Sequence, residues 1–192
     1  MNTKNLSNPP AGGSSTEQAL DIKEHARTIA YRNLLVPIDF SAHSKKTVEC
    51  ATQLAALTGA SIKIMHALQM PKYPTGFYEG IYIQPELVKG AMETAKRDAN
   101  EQLSLVVREI AAKGLEAQSI LRIGNGSQEI VSVAKEMKVD LIIIGSHSYR
   151  VLGRMLLGST LEGVLQSAPC AVLVVKEPPV DRLAARPEAP ED

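Results

Sequence analysis

The chain is predicted to fold as an α/β domain built on an open parallel sheet with helices on both faces. Three observations carry that expectation. Short apolar runs alternate with longer segments of helical periodicity, in the order βαβαβαβαβ between Arg32 and Lys176. Several runs are solid blocks of Val, Ile and Leu, as strands buried on both faces require. The segments between them are long enough for the right-handed crossovers that join parallel neighbours.

Residues 1–15 are rich in Asn, Pro, Gly and Ser and read as disordered, while Thr16 to Ile29 has only the weak apolar pattern of a peripheral helix. Order is expected to begin at Arg32. Asn33 to Asp39 is an apolar strand closed by an acid, and Ser41 is placed to cap the helix that follows. In that helix Cys50, Ala51, Leu54, Ala55 and Leu57 occupy one half of the wheel, and Lys45, Lys46, Glu49 and Gln53 the other. Thr58-Gly59 ends it, and Ile62 to Leu68 is the second strand. Gln69 to Pro85, with three prolines and two glycines, is the least regular segment and reads as a functional or mobile loop.

Glu86 to Lys113 is a long helix stopped by Gly114. Leu115 to Ile123 alternates rather than running solid, which places the third strand near an edge. Gly124 to Ser127 turns into a helix with Ile130, Val133, Ala134 and Met137 on one face. The fourth strand, Val139 to Ile144, leads through a loop and a short helix to the fifth, Ala171 to Val175. Beyond Glu177 four prolines and mostly acidic charges read as a disordered tail. The organisation is therefore an extension over 1–30, a domain over 31–176 and a tail over 177–192.

Composition narrows the function. With 192 residues, 44% hydrophobic and 22% charged, one soluble domain with appendages is expected. The zero formal net charge argues against a dedicated nucleic-acid surface. No apolar run approaches the roughly 18–20 residues of a membrane span, and the N-terminus does not read as a signal peptide. A cytoplasmic protein, with neither nucleic acid nor membrane as partner, is expected. Cys50 and Cys170 lie far apart and outside any C-x-x-C motif, so both read as small reduced core residues, Cys170 opening a buried strand.

The segment Gly145 to Thr160 points to an anion. A glycine directly after a strand, and Gly158-Ser159-Thr160 directly before a helix, put main-chain N–H groups where a phosphate can sit. Ligands of open α/β sheets bind beyond the carboxyl ends of the strands where strand order reverses, which joins this segment to Asp39. No Walker motif, nucleophile elbow or zinc pattern competes. Bland roles stand beside these. Ser159 and Glu162 spell a capping box, Asp39 can bond the turn into the first helix, and His66 can be a satisfied strand-end histidine. His147 can be an exposed loop residue, and Arg150 and Arg154 a solvated face.

Over residues 31–176 the chain resembles the universal stress protein family. The resemblance is carried by the Pro-x-Asp-Phe-Ser start, Leu-x-Gly-Ala at the junction of the first helix and second strand, Val-Asp-Leu-Ile-Ile-Ile-Gly-Ser-His, Leu-Leu-Gly-Ser-Thr and Ala-Pro-Cys-Ala-Val-Leu-Val-Val. It implies a five-stranded sheet of order 3-2-1-4-5, of the adenine nucleotide alpha hydrolase-like type, and a homodimer paired through the last strand, Ala171–Val175. For the nucleotide-binding branch it implies ATP, with Mg²⁺ brought by the nucleotide, held by a G-x2-G-x9-G-[ST] loop. Gly145, Gly158 and Ser159 match that loop, and Thr160 follows with its N–H toward phosphate. Asp39, with Pro37 before it, matches the acid on the adenosine side. Ala67 falls where a main-chain group reads the adenine edge, Ile144 is an apolar wall, and His147 matches a usual loop residue.

Ser148 stands where the pattern has its second glycine. If that position requires φ > 0, serine costs about 1–2 kcal/mol, or roughly five- to thirty-fold in affinity. The expected function is an ATP-binding dimeric regulatory module and not an enzyme, since no evident general base sits beside the phosphates. The alternative is a nucleotide-free dimeric scaffold. A weak ATPase using Glu79 is a third reading.

Overall fold

A computed structural model of the chain describes residues 31–69, 76–78, 81–146, 150–151, 154–155 and 158–176. Its elements run β1 (Asn33–Pro37), α1 (Ala42–Thr58), β2 (Ser61–Leu68), β3 (Gly76–Tyr78), β4 (Ile81–Ile83) and α2 (Pro85–Ala111), followed by β5 (Ala117–Ile123) and α3 (Gly126–Glu136). β6 (Leu141–Gly145), β7 (Arg150–Val151), β8 (Arg154–Met155), α4 (Ser159–Ser167) and β9 (Ala171–Val175) complete the series. The extension over 1–30 and the tail over 177–192 lie outside the described residues.

Five strands form one sheet in the order β5-β2-β1-β6-β9, which is 3-2-1-4-5 counted along the chain. Every pairing in it is parallel. The central strands earn their solid apolar runs. Leu34, Leu35 and Val36 of β1 and Leu141 to Ile144 of β6 are all buried, because each strand has a layer of helices on either face. Alternate residues serve different layers. Leu34, Val36, Ile62, Ile64 and Ile143 pack with Ala51 and Ala55 of α1 and Leu103 and Ile110 of α2. Leu35, Met65, Ile142 and Ile144 pack with Ile130 and Val133 of α3 and Leu161 and Val164 of α4.

Several expectations are corrected. Leu57, assigned to the core face of α1, is 86% exposed; the buried stripe is Thr47, Ala51, Thr52 and Ala55, and Leu57 lies off it. Ser41 occupies the N-cap position in extended backbone but makes no capping bond, because its hydroxyl turns back to Asp39. The helix does end at Gly59, in the left-handed region at φ 69°, where its N–H bonds Ala55 O at 2.8 Å.

The irregular segment 69–85 contains an antiparallel pair, β3 with β4, and α2 starts at Pro85, where the missing N–H costs nothing. The last residues assigned to that helix instead form a tighter turn, with Lys113 N–H on Ile110 O and Gly114 N–H on Ala111 O. β5 is an edge strand, as its alternation foretold. β9 is the other edge rather than a buried strand. Ala171 and Leu173 are exposed, and Cys170 and Cys50 are only partly buried.

Candidate functional site

Beyond the carboxyl ends of β1, β2 and β6 the chain leaves a cleft of about 420 Å³. It opens where β1 has one neighbour that follows it in sequence and another that comes much later, the switch point of an open α/β sheet. Pro37, Asp39, Ala67, Ile144, Gly145, Gly158, Ser159 and Thr160 all line it. His147 and Ser148 lie outside the described residues, as does Glu79. Of Arg150 and Arg154 only the backbone is described, in the antiparallel pairing of β7 with β8.

The floor near β1 is built by a sharp turn. Phe40 adopts φ 61°, a left-handed conformation that costs a non-glycine residue about 1–2 kcal/mol. The turn is held by Asp39. Its Oδ1 accepts from the Ser41 N–H at 3.0 Å and from the Ser41 hydroxyl at 2.6 Å, and also from the Ser44 hydroxyl. The Ser44 oxygen in turn accepts from the Asp39 N–H at 3.0 Å. The structural role foreseen for Asp39 is thus real, and the same residue lines the cleft.

His66 reinforces this floor from β2. A carbonyl can only accept, so the 2.8 Å contact between Nδ1 and Ile38 O places the ring proton on Nδ1. Ile38 is held on its other side by its N–H to Met65 O at 2.8 Å. The Phe40 ring lies over the imidazole with centroids 4.5 Å apart. His66 is therefore satisfied, as its bland reading had it, and also forms part of the wall.

The far wall is made by two helix starts. A Cβ on Gly126, the first residue of α3, would sit 3.3 Å from the Thr160 side chain. One on Gly163 would sit 2.6 Å from Ser127 Oγ, so only glycine lets α3 and α4 approach this closely. In α3 the Asn125 side chain caps the helix by accepting from the Gln128 N–H. In α4 the expected capping box is absent. Gly158 is the N-cap and its carbonyl takes the Glu162 N–H at 3.0 Å, which makes Ser159 the first helical residue. From there the Ser159 hydroxyl is not placed to accept from the third-position N–H, and Glu162 Oε1 is met by Gln166 instead. The N–H groups of Ser159, Thr160 and Leu161 consequently have no intrahelical acceptor and stand at the positive end of the helix dipole.

The near wall comes from α1 and was not anticipated. His43, Ser44 and Thr47 all line the cleft. His43 and Thr47 are spaced i, i+4 on the flank that continues to the buried Ala51, a polar start to a core stripe that was the available signal. Gln69, Gly126, Ile130 and Leu161 were missed as well. They are ordinary loop, turn and core residues whose position depends on the tertiary fold. Among the described residues no three His, Cys, Asp or Glu side chains converge as a metal site, and no helix is long and apolar enough to cross a membrane.

The geometry thus offers an apolar slot at Ala67 and Ile144 and a set of main-chain donors at α4. The comparisons with known proteins agree on the fold that builds it. The universal stress protein YxiE of Bacillus subtilis is 32% identical over 147 residues, covering 76% of this chain and 99% of that protein. The solved structure of hypothetical protein MJ0577, a universal stress protein of Methanocaldococcus jannaschii, superposes with a TM-score of 0.66 at 25% identity, covering 78% of this chain and 99% of the other. Two further structures bear on the fold alone. One, from Archaeoglobus fulgidus in complex with dAMP, has a TM-score of 0.51 at 23% identity over 76% of this chain and 98% of the other. The second, a universal stress protein in complex with cAMP, has a TM-score of 0.52 at 24% identity over 77% and 98%. The model of the universal stress protein family itself matches residues 30–176, the whole sheet and both walls of the cleft, and the chain belongs to that family.

Proposed function

We propose that this protein is a regulatory module that binds ATP in the cleft at the carboxyl ends of β1, β2 and β6. The observation that carries the reading is the start of α4. Three main-chain N–H groups without helical acceptors face a cleft that extends to the apolar Ala67 on β2, with Ile144 of β6 as an apolar wall. Asp39 and Pro37 line the middle, between the two ends. Two solved members of the family carry adenine nucleotides, dAMP and cAMP, which supports the same ligand class here. His147 and Ser148 belong to the loop that would complete the phosphate end. Mg²⁺ would arrive with the nucleotide.

The reading is regulatory rather than catalytic. Asp39 Oδ1 and His66 Nδ1 are both engaged in holding the turn after β1, and no described residue is assigned the role of a general base beside the phosphates. Titration of the purified protein with a fluorescent ATP analogue tests the reading. Saturation in the range of about 1–100 µM, reversed by unlabelled ATP, is expected. A signal that does not saturate at high micromolar analogue would sink it and favour the nucleotide-free scaffold, for which Ser148 is the sequence argument.

The module is also proposed to be a homodimer paired through Ala171–Val175, in the cytoplasm, with 1–30 and 177–192 as appendages to the domain over 31–176. β9 supports the pairing, because among the described residues it is a sheet edge, paired only with β6, with Ala171 and Leu173 exposed. Val174 packs into the α3–α4 layer, so the informative change is Leu173→Glu. It should give monomers in sedimentation at unchanged helix content; a dimer mass would contradict the pairing.

A further inference from the structure

We infer that the Thr47 hydroxyl donates a hydrogen bond to the phosphate end of the bound nucleotide. The inference rests on the ATP reading above and adds to it a contact from α1. That helix holds three threonines. Two are satisfied locally, with Thr52 Oγ1 donating to Val48 O at 2.7 Å and Thr58 Oγ1 to Leu54 O at 2.9 Å. Thr47 is more deeply buried than either, at 1% exposure, yet no hydrogen bond joins its hydroxyl to another described residue. The residue is buried but lines the cleft, so its hydroxyl is left to donate to whatever occupies that space.

Its position specifies the ligand group. Thr47 Oγ1 lies 3.0 Å from the point that a Cβ on Gly145 would occupy, so the bare glycine leaves the hydroxyl uncovered beside the end of β6. Ala67, at the base end, sits on β2 with β1 between, a separation of two strand spacings or about 10 Å. The free N–H groups of α4 are at the β6 end, on the layer opposite α1. A phosphoryl group there meets main-chain donors from one layer and a side-chain donor from the other. The neutral hydroxyl adds direction without charge, which suits an anion already drawn by the helix dipole.

The test is competition against a fluorescent ATP analogue by ATP, inorganic tripolyphosphate and adenosine, for wild type, Thr47→Val and Thr47→Ser. Valine keeps the branched shape and removes only the hydroxyl. The valine variant should lose about tenfold in affinity for ATP and tripolyphosphate and less than about twofold for adenosine. Serine should recover most of that loss. Equal ATP affinity for valine and wild type overturns the inference and leaves the nucleotide reading standing. An equal loss for adenosine puts the hydroxyl at the sugar and also overturns it. Absence of any nucleotide binding by wild type removes both together. Ligand-free thermal unfolding of the valine variant should match or exceed wild type; if that variant does not fold, Thr47→Ala carries the same titration.

Discussion

At the amino ends of β1, β2 and β6 the polar groups are used up by one another, whereas at the carboxyl ends of the same strands several are left over. Asp140, just before β6, accepts from the Arg32 N–H at 2.8 Å and from the Asn33 N–H. Lys63, buried on β2, gives its ammonium to Asn33 Oδ1 at 3.1 Å and Ser61 Oγ at 3.3 Å. At the other end Asp39 and His66 also hold the backbone, but the first N–H groups of α4 and the Thr47 hydroxyl face open space. Donors without protein acceptors in an open cleft are left to water, and their concentration at one end of a sheet marks where a ligand's acceptors can take its place.

The comparison can be broken most sharply by Ser159→Asp. A carboxylate at the start of α4 complements the helix dipole and should raise stability by about 0.3–1 kcal/mol. The same charge repels phosphate and should cost roughly a hundredfold or more in ATP affinity. Denaturant melts and analogue titrations of one preparation read both. A variant that binds ATP normally would show that phosphate does not sit there.

Asp140→Ala should do the reverse. Removing the acceptor strands two main-chain donors and should destabilise the fold by about 1–3 kcal/mol in urea, with ATP affinity of the folded fraction within about twofold of wild type. Coupled losses of stability and affinity would mean that the two ends are not independent.

The smallest expected effect concerns Cys170, at the amino end beside β9. Burial pushes its thiol above the usual range, so the native state keeps that proton longer than the unfolded chain. Above the ordinary thiol pKa the unfolded chain therefore ionises first, and this residue's contribution to stability falls as pH rises. Alkylation at pH 8 should be slower in the folded protein than in urea, and equal rates would contradict the burial.

The same contrast explains what could be read in advance. Strand order and layers were legible because alternation and family motifs both reach the whole domain, and β5 betrayed its edge by its own pattern. β9 did not. Ala171 to Val175 is as apolar as a central strand, so nothing local distinguishes an edge that would be covered by a second copy from one buried in the sheet. At the site, the glycines and Asp39 stood out because they sit at strand ends and helix starts where a phosphate can bind and because the family motifs run through them. Thr47 and His43 did not, since a polar residue in the first turns of a helix is common and only the approach of Gly145 gives Thr47 its setting. The capping box misled for a related reason. Ser-x-x-Glu specifies a helix start to within a residue, and the start fell at Gly158.

The central claim is that the carboxyl end of the sheet binds nucleotide and the amino end does not. Amide chemical shifts followed by NMR during an ATP titration address both halves at once. The account predicts saturable shifts for Gly145, Ser159, Thr160 and Leu161, with Asn33, Lys63 and Asp140 unmoved. No change at the α4 amides up to millimolar ATP, or shifts centred on the amino end, would contradict it.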